Sequence, residues 1–345
     1  MANVLTANFS HTYAGEELIN EMFFQPQESV PALSQWYRFI PVKGDKVNVY
    51  LPQTLSKILR KYSTCGFSAA GGVTTIVDKT LSVEKIKANL EECVDAWDDT
   101  IFAELMKPGV NRDDLSGTLI DNIIRTQYLK AAQSDIHRIA WFADANDADA
   151  DWNQFDGWIT NFVDNSASFE TGAFLDLDSD NTNYENSDVL VSNGALNIFR
   201  ALWAAQSATL RAVPNNMKAF YVTNTFIDNF ATTLENQGNS EGQRLIQDGV
   251  TTYYFRGVEL KAVPEWDTNL ADSTNPHYTG SGLSIGSNLV VYAAKDNLVF
   301  GSDVSEGSTS FKVRYADDDD ETMKLTTKFK LGVQVMHYEY VCIGY

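Results

Sequence analysis

The closing run of the chain, Lys324-Leu-Thr-Thr-Lys-Phe-Lys-Leu-Gly-Val-Gln-Val-Met-His-Tyr-Glu-Tyr-Val-Cys-Ile-Gly-Tyr345, constrains the fold more than any other stretch. Within it Phe329, Leu331, Val333 and Val335 fall on one side of a pleat, and Lys328, Lys330 and Gln334 fall on the other. Period-2 alternation with β-branched and aromatic enrichment marks a half-buried strand. The chain therefore ends in a sheet, with a sheet edge near the terminus. The run from Asn288 to Asp303, rich in Val, Tyr and Phe, reads as strand leading into the same sheet. An acidic run, Asp317-Asp-Asp-Asp-Glu321, separates the two.

Taken from the start, residues 1 to about 35 carry Phe9, Leu18, Ile19, Met22, Phe23 and Phe24, too much apolar surface for a free tail, with Pro26 and Pro31 breaking up the second half. They read either as a first core helix or as an extended arm on a neighbouring subunit. Residues Arg38 to Pro52 read as strand, Gly44-Asp45 turn, strand. After Gly66, Gly71 and Gly72 comes a further strand at Val73-Thr-Thr-Ile-Val77, so a long hairpin with a glycine-rich middle is expected. Apolar residues at Val83, Ile86, Leu90, Val94, Trp97, Ile101 and Leu105 step by three and four. With Ser82 as N-cap and Pro108-Gly109 as stop, they predict a helix over 82–107, about 39 Å long. A second helix is expected over about 113–142. Phe155 to Val163 reads as an anchoring turn and short helix in which Trp158 and Phe162 pack.

From about residue 192 the pattern is that of a compact α/β unit. A helix is expected over Leu196–Leu210, a buried strand over Lys218–Val222, and a helix capped by Thr223 or Asn224 and ended by Gly238. Thr251–Phe255 and Val258–Val263, joined by Arg256-Gly257, read as a hairpin. A polar loop over 267–287 follows.

Three groups of residues, Asn297-Leu-Val-Phe-Gly-Ser-Asp303, Phe311-Lys312 and Lys330-Leu-Gly-Val-Gln-Val335, together with the run Tyr254 to Asp267, resemble the major capsid proteins of tailed bacteriophages. The resemblance implies an α+β chain with the Hong Kong 97-like phage capsid fold. Its parts would be an N-terminal arm (1–35), an extended two-stranded loop (36–80), a peripheral domain with a long spine helix (81–191 and 300–345) and an axial domain (192–299). It further implies a structural protein that self-assembles into pentamers and hexamers, forming an icosahedral head around double-stranded DNA. The implied location is the virion, with assembly in the host cytoplasm. The implied partners are copies of itself, a portal, a scaffold and head-decoration proteins. An encapsulin-type nanocompartment shell would share the fold and remains a second reading.

Composition narrows the function classes. The net charge of −20 argues against binding nucleic acid by phosphate neutralisation, and suits a shell wall to which packaged DNA does not adhere. Cys65, Cys93 and Cys342 are odd in number and form no CxxC motif, which suggests reduced, buried thiols and no zinc site. No stretch of about 18 apolar residues marks a membrane span, and the first residues lack the basic-then-apolar pattern of a signal peptide.

No catalytic, cofactor-binding or metal-binding residue is expected. Between Ile139 and Phe199 there is no Lys or Arg but there are twelve acids. Asp176-Leu-Asp-Ser-Asp180 has the alternating oxygens of a calcium loop, yet Asn181 and Ser187 stand where Gly and Glu are required. The same block could serve a carbohydrate-active enzyme through Asp176 or Asp178, a calcium-stabilised surface layer, or an acidic surface that meets Lys324, Lys328 and Lys330 of a neighbour. Gly280 to Gly286 holds Gly-x-Ser-x-Gly only in broken spacing, and no phosphate-binding loop is present. His137 reads as a core or surface histidine, and His11, His277 and His337 stand in no motif.

Overall fold

The computed structural model describes residues 36–52, 76–93, 119–169, 172–175, 184–186, 189–237, 244–247, 250–277, 289–302, 311–314 and 322–345. The N-terminal segment 1–35, the glycine-rich middle of the hairpin, the Asp176–Asp180 motif, Gly280 to Gly286 and the Asp317–Glu321 run lie outside them.

Two sheets and the helices packed on them make the body, with a short two-stranded pair of β6 (Tyr184–Asn186) and β7 (Val189–Leu190) beside them. The larger sheet has seven strands in the order β5-β16-β12-β8-β11-β10-β9. They are β5 (Phe174–Leu175), β8 (Lys218–Val222), β9 (Arg244–Gln247), β10 (Val250–Phe255), β11 (Val258–Ala262), β12 (Val290–Ala294) and β16 (Val341–Gly344). At its centre β8 runs parallel to β11 and antiparallel to β12. Every residue of β8 is buried, because both faces of the strand are covered. Ala219 and Tyr221 join one core with Val291, Ala293 and Trp266, while Phe220 and Val222 join another with Val290 and Tyr292. A strand buried on both faces reads as an unbroken apolar run, as Ala219 to Val222 do here.

The second core is closed by α3 (Gly194–Ala205), α4 (Ala208–Ala212) and α5 (Asn224–Gln237), through Ile198, Phe199, Leu202, Leu210, Phe226 and Phe230. The helix expected over Leu196–Leu210 is in fact two. Ser207 accepts from the Leu210 N–H at 2.9 Å and donates to the Glu339 carbonyl at 2.6 Å, so it caps a new helix. The β10–β11 hairpin turns on Arg256 (φ 51°) and Gly257 (φ 80°), the two left-handed residues that a two-residue turn needs to match strand twist. Pro264 opens α6 (Pro264–Asn269) at a position where no N–H is missed.

The first core lies between the seven-stranded sheet and a five-stranded one. The latter comprises β1 (Arg38–Pro41), β4 (Glu84–Cys93), β13 (Leu298–Ser302), β14 (Phe311–Arg314) and β15 (Thr322–Val335). Phe329, Leu331, Val333 and Val335 point into this core, as the alternation predicts. There they meet α1 (Leu119–Phe142) and α2 (Trp158–Asp164), which contribute Trp141, Phe142, Trp158 and Phe162. His137 is buried with its ring edge-on to Trp36, the core reading of that residue. The terminal strand β16 leaves the five-stranded sheet and pairs with β12, so the last residues tie the two sheets together.

A second expectation fails. Residues 84–93, placed in a long helix over 82–107, form β4, and each of them pairs with β15, from Glu84↔Leu331 to Cys93↔Thr322. The step of four from Ile86 to Leu90 suits a strand as well as a helix, since both residues keep one face of a pleat. Ten paired positions on a distant strand outweigh local helix propensity. The long helix of the described chain is α1, about 36 Å at 1.5 Å per residue, within the second stretch expected to be helical.

Candidate functional site

Among the described residues no group of three or more His, Cys, Asp or Glu is placed to hold a metal ion. The buried polar side chains serve the fold. Thr160 donates its hydroxyl proton to the Ala143 carbonyl at 2.6 Å, so its oxygen accepts from His277 Nε2 at 3.1 Å. Burial depresses the His277 pKa to about 4 and keeps the ring neutral. The Lys261 ammonium lies 5.0 Å from the Trp36 ring centre, and burial lowers its pKa to about 8. Cys342 is a free thiol buried in β16, raised by burial to about 12 and so held in the unreactive protonated form. Among the described residues no helix is long and apolar enough to cross a membrane.

The features that stand out are surfaces. Strands β2 (Lys46–Pro52) and β3 (Ile76–Ser82) pair antiparallel in an unbroken register, Lys46↔Ser82 to Pro52↔Ile76. The two strands expected to flank the glycine-rich middle are thus partners. Among the described strands they pair only with each other, and an isolated two-stranded ribbon is marginal in water. Tyr50, in its outer half, is 67% exposed.

The root of this ribbon is clamped. Leu81, Val83 and Val42 pack on Val299 and Met336, on the face of the five-stranded sheet opposite to the main core. Lys79 reaches over the Tyr338 ring, 4.1 Å from its centre, toward the Val335 and Met336 carbonyls. The two backbones nearly touch: a Cβ on Gly332 would stand 1.9 Å from the Ser82 carbonyl oxygen. Only glycine permits this crossing. Residue Val83, whose N–H is bonded to the Asp45 carbonyl at 2.9 Å, is where the chain leaves its ribbon partner β2 and joins β15. Residues 76–93 are therefore nearly one strand that serves two sheets.

Beyond the root, the ladder of β4 and β15 sets lysines against lysines. Lys85 stands opposite Lys330, and Lys87 opposite Lys328. Lys85, Lys87 and Lys328 are exposed. Lys330 pairs with Asp45 at 2.8 Å, which holds that carboxyl below the usual range. Sequence reading singled out Lys324, Lys328 and Lys330. Lys85 and Lys87 escaped it, because a helix over 82–107 would point them elsewhere.

A contrasting surface follows α1. The turn carrying Asp144, Asp147, Asp149, Asp151 and Asp156 is held by its own carboxylates. Asp144, Asp147 and Asp149 each accept from the N–H two residues on, at 2.9, 2.7 and 3.0 Å, and Asp156 accepts from Ala145 at 3.1 Å. Arg138 donates to the Asp151 carbonyl at 2.6 Å and lies over Trp152, anchoring the turn from below.

No family model matches the chain, and no curated protein matches it in sequence. Solved structures do. A chain of the satellite phage P4 procapsid including size determination (Sid) protein is similar at TM-score 0.53 and 11% identity, over 99% of this chain and 93% of that one. A chain of Mycobacterium phage Ogopogo is similar at TM-score 0.52 and 11% identity, over 92% and 93%. The capsid of an empty GTA particle is similar at TM-score 0.51 and 12% identity, over 97% and 99%. Likeness that spans both partners end to end, at so low an identity, is likeness of fold. The chain has the mixed α+β fold shared by phage capsid proteins.

Proposed function

We propose that the chain is a major capsid protein of a tailed phage. Its copies close into pentamers and hexamers and build the icosahedral head that encloses a double-stranded DNA genome. The observation that carries this reading is the capsid fold over nearly the whole chain. The β2–β3 ribbon supports it: clamped at its root and paired only with itself among the described strands, it is built to find its remaining contacts on a neighbour. In this reading residues 1–35 are the arm, 36–80 the extended loop, 81–191 and 300–345 the peripheral domain with α1 as its spine, and 192–299 the axial domain. Each contact between subunits is modest, and symmetry multiplies it into a rigid shell. Catalysis has no part in the mechanism. The portal, a scaffold and decoration proteins complete the head, and assembly takes place in the host cytoplasm.

The test is expression of the full chain followed by negative-stain microscopy and nuclease protection. Closed shells, filled with nuclease-resistant DNA when recovered from a phage lysate, support the reading. Shells filled with a protein cargo would assign the chain to nanocompartments instead, and a monodisperse monomer would remove both.

A further inference from the structure

The lysine face of the β4–β15 ladder is not explained by folding. Like charges directly opposite on a sheet work against the pairing, and a half-buried strand would accept Thr or Gln at these positions equally well. Yet Lys85 opposes Lys330, Lys87 opposes Lys328, and four residues on, Lys324 opposes Glu91. That places five lysines against Glu91 and the nearby Asp45, in a chain whose net charge is −20. A concentrated positive face on so acidic a protein calls for an anion.

The aspartate turn of the same chain is complementary. Asp149, Asp151 and Asp156 are exposed, and Lys and Arg are absent from 139–199. The bordering cation, Arg138, is already held by Asp135 at 3.0 Å and by the Asp151 carbonyl. Within one subunit the two surfaces face apart. Phe329 and Leu331 point into the core that α1 and α2 close, and the turn continues from α1 on that side. Lys328 and Lys330 alternate with those residues and so point away from it. The partner must come from another copy. A face on one side of the subunit and a knob on the other make a head-to-tail contact, the kind that closes into rings.

We propose that the lysine face formed by Lys85, Lys87, Lys328 and Lys330 receives the aspartate turn Asp144–Asp156 of a second copy, as an ionic contact that steers and registers assembly. This rests on the self-assembly reading above. The test uses the full chain in three variants, Lys328→Glu, Asp151→Lys and the two combined. Assembly is followed by light scattering at low salt, and subunit folding by thermal melting. Each single variant should slow assembly by about five- to tenfold without lowering the Tm, and 0.5 M salt should slow wild type similarly. The combined variant, with the polarity reversed, should recover most of the wild-type rate. Wild-type shells together with unimpaired single variants would overturn the inference while leaving the capsid reading standing, as would slowed singles that the combination fails to restore. Normal assembly with loss of nuclease-protected DNA in Lys328→Glu would make the face a DNA contact, and overturn it too. Failure of wild type to assemble at all would sink the capsid reading itself, and the inference with it.

Discussion

Replacing Gly332 with alanine probes the join between ribbon and body. The added Cβ would stand 1.9 Å from the Ser82 carbonyl oxygen, 2.9 Å from its carbon and 3.0 Å from the Val83 Cα. Carbon meets a carbonyl oxygen comfortably at about 3.3 Å, so one backbone must retreat by about 1.4 Å. No side chain can rotate away, since both parties are backbone. Overpacking typically costs about 1–3 kcal/mol, and a clash without rotamer relief belongs at the upper end. Lifting the root also loosens Leu81 and Val83 from Val299 and Met336, so the expected total is about 3–4 kcal/mol. Urea unfolding of the unassembled subunit measures it. Gly301→Ala is the graded control: its Cβ would meet the ends of Leu81 and Val42 at 2.7 and 2.9 Å, and because those side chains can yield, about 1–2 kcal/mol is expected. Gly44, with nothing nearer than 3.8 Å, should tolerate alanine within about 0.5 kcal/mol. If Gly332→Ala were no more costly than Gly44→Ala, the close crossing would not exist and the ribbon would not be fixed as described.

Three further outcomes follow from the same geometry. His277 is neutral in the fold with its pKa near 4, so the unfolded chain takes up a proton between about pH 6.5 and 4 and the folded one does not. Stability should fall across that window, by about 3 kcal/mol at its acid end, and melting curves of His277→Gln should show a shallower acid dependence. Tyr50→Ser, at an exposed ribbon position, should leave subunit stability within about 0.5 kcal/mol yet reduce shell yield; normal yield would show that the outer ribbon makes no contact there. Trp158→Ala should cost about 3–5 kcal/mol, because the indole is fully buried against Tyr37 and Trp141; denaturant titration checks this.

The elements that the residues announced are those whose pattern is local. β15 shows its alternation directly, β8 its two-sided burial, and β10–β11 its Arg-Gly turn. What stayed hidden depends on distant partners. Ile86 and Leu90 satisfy helix and strand spacing alike, and the choice is made by Phe329 and Leu325, more than two hundred residues away. The opposed lysines were invisible for the same reason, since a charge opposite another exists only once the register is known. Ser207 also went unread: the apolar pattern from Leu196 to Leu210 runs straight through it, and the break is fixed by its hydroxyl meeting the distant Glu339 carbonyl.

The claim beneath all of this is that the subunit completes its contacts on copies of itself. Sedimentation velocity of the purified full chain, from micromolar concentration upward and at low and high salt, addresses it most directly. The account predicts growth from subunits to capsomer-sized rings and closed shells as concentration rises. A single compact monomer under every condition would contradict it.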